Sequence, residues 1–280
     1  MPGTERIIVV MPAYNAGKTL TLTYQQLPHD LVDLVIVVDD GSDDETVEIA
    51  ARLKLKLFIH DRNRGYGANQ KTCYREALNA GATVVVMVHP DYQYDPRLLP
   101  DLVQPIMDGR ADVVLGSRFM GESPVKQGMP RWKYLGNRAL TQLENAVFGL
   151  RLAELHTGYR AFRREVLEAV PYWLNSDRFV FDQEILAQAV VRGFRIAEVP
   201  VPTRYLPESS SASLLQSMRY GISIVWMLLR FQSHRYGLFS QRWLERTASD
   251  SEDAESPARI PLEAAAPAKR ERSCAAGADQ

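Results

Sequence analysis

Residues 34–46 read LVIVVDDGSDDET, five aliphatic positions that run straight into two adjacent carboxylates. The first part has the continuous Val/Ile/Leu character of a strand covered on both faces. Asp39 and Asp40 then stand where that strand emerges, and burying such a pair is costly unless water or a ligand satisfies it. Ser42 or Asp43 can cap a following helix, with Glu45 in its first turn. Four further runs share the pattern, at Ile7–Met11, Leu55–Ile59, Val84–Val88 and Val113–Leu115. Amphipathic stretches at 17–27, 44–53 and 67–80 separate them. Strands alternating with helices in this way predict an α/β fold with a mostly parallel central sheet flanked by helices. Ligands of such sheets bind beyond the carboxyl ends of the strands. The five loops there are MPAYN (11–15), DDGSDD (39–44), HDRNRGYG (60–67), HPDYQYDP (89–96) and GSRF (116–119), all polar and on one predicted edge.

The remaining chain bounds the reading. With 280 residues, 46% hydrophobic and 24% charged, it is long enough for one large domain. A net charge of −1 gives no electrostatic case for nucleic acid. Cys73 and Cys274 are the only cysteines, a poor disulfide pair that fits a reducing compartment. The N-terminal MPGTERIIVVMPAYN lacks the form of a signal peptide, and no apolar run approaches the roughly 20 residues of a membrane span. The expectation is a cytoplasmic protein, with peripheral attachment to the inner face of the membrane left open.

Past Gly121 the sequence is rich in Gly, Pro and basic residues, including Lys126, Arg131, Lys133 and Arg138, and reads as an irregular loop. Helices are expected at 134–148 and 181–192, and a strand-like segment at 196–205. In 213–231, Leu214, Leu215, Met218, Ile222, Val225, Trp226 and Leu229 form one stripe, which Ile224, Met227, Leu228 and Phe231 widen. That width suits a helix on a membrane surface, one meeting a partner subunit in a homo-oligomer, or one buried in the core. Residues 245–280 have the composition of a disordered tail.

MPAYNAGKTL (11–20), VVDDGSDDET (37–46), NRGYGANQ (63–70) and the acidic loop after the fourth strand resemble family 2 glycosyltransferases in order and spacing. Within that family the chain looks like the branch of polyprenyl-phosphate (dolichol-phosphate) sugar synthases, over residues 5 to 235. The resemblance implies a GT-A domain over 1–235, with a nucleotide-binding half at about 5–120 and an acceptor half at about 121–235. It implies a nucleoside-diphosphate sugar donor, a divalent cation (Mn²⁺ or Mg²⁺), and a lipid-phosphate or saccharide acceptor.

By position, Pro12, Ala13 and Tyr14 should line the nucleoside pocket, Asp40 and Asp39 should hold base or ribose, and Gly65 and Gly67 should pass near the nucleotide. HPDYQYDP falls on the metal-binding DxD position, but His89 replaces the first acid, while Asp91 and Gln93 keep the pattern. Either Asp91 and Gln93 hold the metal with His89 as a neighbouring contact, or His89 ligates Mn²⁺ directly, or the site is degraded. Imidazole suits Mn²⁺ better than Mg²⁺. Arg118 of the GSR element can pair with phosphate or brace an acid, and Arg131 belongs to a basic loop facing the diphosphate or the acceptor. ELHTGYRAFRREVL (154–167) resembles the acceptor-site segment, with Arg160 as a candidate contact and His156 as either an acid–base candidate or a structural hydrogen-bonding residue. In FVFDQEIL (179–186), Asp182 is either a catalytic base or a helix-dipole partner. EVPVPTRYLPESSSAS (198–213) brings Arg204 toward the phosphates.

The expected activity is transfer of a sugar to polyprenyl phosphate, metal-dependent and inverting if the acceptor attacks directly. The alternatives are a hydroxyl acceptor with Asp182 as base, and a nucleotide-sugar-binding protein without catalysis.

Overall fold

In the computed structural model, residues 5–121, 123–203 and 214–245 are described. Seven strands form one sheet: β1 (Ile7–Ala13), β2 (Leu34–Asp39), β3 (Lys56–Ile59), β4 (Val84–Met87), β5 (Val113–Ser117), β6 (Arg160–Arg163) and β7 (Ile196–Pro200). Their order is β3-β2-β1-β4-β6-β5-β7. All neighbours are parallel except β6, which runs antiparallel to β4 and β5. The expected mostly parallel sheet is therefore present, with one reversed strand inserted near its middle.

Both faces of the sheet are covered. Ile8, Val10, Ile36, Val38, Val85 and Met87 point into one apolar layer. Their alternates Val9, Met11, Val35, Val37, Val84 and Val86 point into the other. The first layer is closed by α3 (Tyr66–Asn79), α7 (Phe181–Val191) and α8 (Leu214–Arg235). The second is closed by α1 (Leu20–Gln25), α2 (Thr46–Arg52) and α4 (Leu99–Met107). Full burial of each aliphatic side chain contributes about 1.5–3 kcal/mol, so a strand with no polar alternation is held in place from both sides. Two more helices, α5 (Arg131–Phe148) and α6 (Arg164–Ala169), complete the set among the described residues.

Register sets the site. Ala13 of β1 pairs with Asp39 of β2, which pairs with Ile59 of β3, so the loops after these strands leave the sheet at one level. β4 ends two residues before His89.

Two elements go beyond what the sequence reading assigned. The segment 160–163 is strand β6 in the sheet, with Arg160 buried and bonded internally. Its arginines concealed it, because a strand is expected to be apolar where both faces are covered. The folded body also runs beyond residue 235: Trp243 and Leu244 are buried in the first apolar layer. Gln188 of α7 donates to the Trp243 carbonyl at 2.8 Å, and Arg230 of α8 lies over the Trp243 ring.

In α8, Ile224, Met227, Leu228 and Phe231 are the buried stripe. Leu214, Leu215, Met218, Ile222, Val225, Trp226 and Leu229 are exposed, Ile222 at 68% and Trp226 at 63%. The helix thus packs on the core by one narrow face and presents a wider apolar face outward. No helix among the described residues is long and apolar enough to cross a membrane.

Candidate active site

Asp39 and Asp40 leave β2 buried, and each is satisfied by the protein. Asp39 accepts from the backbone N–H groups of Gly41 (3.1 Å) and Ser42 (3.0 Å) and from the Ser42 hydroxyl, closing the turn after β2. Asp40 accepts from His60 Nδ1 at 2.6 Å and from the backbone N–H groups of Arg64 (3.0 Å) and Gly65 (2.9 Å). His60 in turn meets Thr72 of α3 at 3.0 Å. Asp40 therefore fixes the 60–65 loop against the sheet. Gly65 adopts φ +104°, and a Cβ there would lie 2.6 Å from the carbonyl oxygen of Asp177. Only glycine fits, so loop 60–65 can pack against the turn that precedes α7. Pro12 and Ala13 are buried at the end of β1, and Tyr14 beside them is half exposed.

At the neighbouring loop, Asp91 and Gln93 are half-buried, and Asp91 Oδ1 accepts from Gln93 N–H at 3.1 Å. That bond closes a turn about Tyr92, whose φ is +57°. A left-handed tyrosine costs on the order of 1–3 kcal/mol, a cost met most often at functional sites. His89 lies nearly parallel to Tyr66, with ring centroids 5.6 Å apart, and its Nε2 is 3.3 Å from the Tyr66 hydroxyl. The same hydroxyl donates to Asp182 Oδ2 at 2.8 Å. Asp182 Oδ1 accepts from Gln70 at 3.1 Å, and Arg160 stands 3.8 Å from Oδ2. Packing around the Tyr66 hydroxyl, and then the Asp182 charge, push its pKa well above the ordinary phenol range.

Among the described residues no three His, Cys, Asp or Glu side chains cluster. His89, Asp91 and Gln93 follow one another at alternate positions of the loop after β4 and carry an imidazole, a carboxylate and an amide. These donor types are compatible with a divalent cation that takes its other ligands from oxygen groups and water, with the imidazole favouring Mn²⁺ over Mg²⁺.

Arg118 follows β5 and turns to Glu154, which is fully buried. Arg118 Nε donates to Glu154 Oε1 at 2.8 Å, its backbone N–H donates to Oε2, and Nη2 reaches both Glu154 and the His156 carbonyl. Asn137 of α5 donates to the same carboxylate at 2.9 Å. Burial alone would raise the Glu154 pKa, but the Arg118 charge and these bonds outweigh it and hold the carboxyl below its usual value. Of the two expectations for Arg118, the structure realises the brace on an acid. Lys133 shares this region: burial lowers its pKa, and the Arg118 charge lowers it further. Arg131 is exposed at the start of α5.

Arg160 does not reach the site surface. Its guanidinium is 1% exposed and donates to the carbonyls of Thr157 (2.6 Å), Asp182 (2.8 Å) and Leu155 (3.0 Å). It braces the start of α7 and is not placed to contact a substrate. His156 meets Tyr220 at 3.2 Å, Gln183 at 3.2 Å and Glu144 at 2.9 Å, the structural one of its two expected roles. Arg204 and Ser209–Ser211 lie outside the described residues. Four residues that organise the site, His60, Tyr66, Gln70 and Glu154, were not singled out from sequence. Tyr66, inside NRGYG between two glycines, carried the strongest signal of the four.

Comparison with known proteins accords with this geometry. Residues 8–170, more than half of the chain, match the family model described as glycosyl transferase family 2. The UDP-N-acetylglucosamine–dolichyl-phosphate N-acetylglucosaminyltransferase of Methanococcus voltae is 28% identical over 240 residues, covering 80% of this chain and 94% of that protein. The polyprenol monophosphomannose synthase of Mycolicibacterium smegmatis is 30% identical over 206 residues, covering 71% and 77%. Among solved structures, glucosyl-3-phosphoglycerate synthase from Mycobacterium tuberculosis superposes with a TM-score of 0.65 at 22% identity, covering 81% of this chain and 80% of that one. That enzyme has also been solved with Mn²⁺ and uridine diphosphate. The matched segment spans strands β1 to β6 and the loops that follow β1 to β5, and the chain belongs to glycosyl transferase family 2.

Proposed function

We propose that the chain transfers a glycosyl group from a nucleoside-diphosphate sugar to a polyprenyl phosphate, with a divalent cation held by His89, Asp91 and Gln93. The observation that carries this reading is the Asp91 turn, a strained donor-rich loop on the same edge as the DDGS turn, in a chain whose relatives are named for lipid-phosphate acceptors. Pro12, Ala13 and Tyr14 line the nucleoside side, while Asp39 and Asp40 hold that pocket's walls. The bound cation supplies charge stabilisation for the diphosphate. A phosphate oxygen of the acceptor attacks the anomeric carbon, the bond from that carbon to the diphosphate breaks, and direct attack inverts configuration. An ionised phosphate needs no general base, which agrees with an Asp182 already committed to Tyr66 and Gln70. Lys133 and Arg131, with Arg204 beyond them in sequence, supply positive charge for the phosphates.

The exposed face of α8 supports a peripheral position on the cytoplasmic side of a membrane, where the acceptor's chain resides. Trp226 and Ile222 would enter the interface, with Arg219 near the headgroups.

Calorimetric titration of UDP and GDP, with and without Mn²⁺, tests the binding half. One of the two should bind, more tightly with Mn²⁺, and Asp91→Ala should remove the metal's contribution. Metal-independent binding in both proteins would favour a nucleotide-sugar-binding protein without catalysis.

A further inference from the structure

The two nitrogens of His89 have different fates. Its Cδ2–Nε2 edge faces Gly158, where a Cβ would lie 2.5 Å from both atoms, so any other residue at 158 would expel the ring. Nε2 reaches the Tyr66 hydroxyl at 3.3 Å, and that hydroxyl reaches Asp182 at 2.8 Å. A phenol has one proton, and an ionised carboxylate can only accept. The Tyr66 proton therefore goes to Asp182, the Tyr66 oxygen offers a lone pair to His89, and Nε2 must carry hydrogen. A neutral imidazole protonated at Nε2 has its lone pair on Nδ1, the nitrogen on the ring edge opposite Gly158. Asp182 is itself fixed by Gln70 at 3.1 Å and by Arg160 at 3.8 Å, whose guanidinium is anchored on three backbone carbonyls.

We propose that Tyr66 and Asp182 are positioning residues that lock His89 in the Nε2–H tautomer, so that Nδ1 is the atom this chain offers to the divalent cation beside Asp91. The lock stands on geometry alone; the use of Nδ1 rests on the glycosyl-transfer reading. Metal-bound histidines commonly donate their other N–H to a carboxylate or carbonyl, which fixes the ring and raises its basicity. Here Tyr66 is inserted between the imidazole and the carboxylate. The arrangement explains how a histidine can stand at a position where the family pattern has an acid: its niche is built by Gly158, Tyr66 and Asp182 from three separate segments. It also removes Asp182 from the role of base.

Nitrogen-15 NMR of the histidine-labelled chain, above the ordinary imidazole pKa range, reads the tautomer directly. The His89 signal is identified by its loss in His89→Gln. Wild type should show a protonated Nε2, Tyr66→Phe and Asp182→Ala should show mixed tautomers, and Asp182→Asn, which keeps an acceptor oxygen, should resemble wild type. Mn²⁺ affinity in the presence of UDP or GDP should fall about 10–100-fold in Tyr66→Phe and His89→Gln, the range typical for loss of an orienting partner or more. A protonated Nδ1 in wild type, or a tautomer unchanged in Tyr66→Phe, overturns the lock. Unchanged Mn²⁺ affinity in His89→Gln overturns the metal role. If the tautomer pattern holds while glycosyl transfer is absent, the proposed function fails and the lock survives.

Discussion

Arg118 and Glu154 show how one ion pair ties the loop after β5 to α5 and the 154–156 segment. Glu154 has no exposure, so removing its partner strands a buried charge, at a cost of about 3–5 kcal/mol. Arg118→Met should unfold at markedly lower denaturant concentration, and adding Glu154→Gln should recover part of the loss. Because the folded-state pKa of Glu154 is depressed, its contribution is complete above the unfolded glutamate pKa of about 4.3. It is lost as pH falls through the lower folded value, and wild type should lose more stability over that acid range than the double variant. The carboxylates of DDGS and the Asp91 turn were legible in sequence because buried strands rarely end in charge without cause. Arg160 and Glu154 were not. Whether a long cation turns to a ligand or to a carbonyl is decided by neighbours far away in sequence, as the Arg160 bonds to 155, 157 and 182 show.

Helix α8 is an element whose sequence left three destinations open, and the structure divides it between two faces. The buried stripe of Ile224, Met227, Leu228 and Phe231 accounts for its attachment to the core. The outward face, including Leu215, Met218, Ile222 and Trp226, makes no core contact, and the proposed function assigns it to a membrane surface. Ile222→Ser with Trp226→Ser should leave the melting temperature nearly unchanged and lower binding to anionic phospholipid vesicles at least about tenfold, given about 1.5–3 kcal/mol per large side chain transferred. Unchanged vesicle binding together with a change in sedimentation would assign the face to a second copy of the chain. Strands β1 to β5 were readable from their aliphatic runs, whereas β6, inserted between β4 and β5, was not. Its four residues, RAFR, include two arginines whose charges end on carbonyls and α-helix termini, so no local pattern announces a strand.

At the scale of the whole molecule, the folded body closes on itself only after residue 235. Truncation after Arg235 removes the buried Trp243 and Leu244 and should cost about 3–5 kcal/mol, whereas truncation after Glu245 should leave stability unchanged in a melting experiment. That closure brings α7 and α8 against the layer carrying α3, and so holds Tyr66, Asp182 and the Asp91 turn on one edge of the sheet. Under the proposed function, this edge moves a sugar onto a lipid phosphate. The most direct measurement is mass spectrometry of the lipid fraction after incubating the purified chain with Mn²⁺, polyprenyl phosphate and a panel of nucleoside-diphosphate sugars. The predicted result is a lipid heavier by one glycosyl residue, formed from polyprenyl phosphate, absent with unphosphorylated polyprenol, and lost in Asp91→Ala. A panel that yields no glycosylated lipid phosphate, with transfer only to saccharide hydroxyls or to no acceptor, would contradict it.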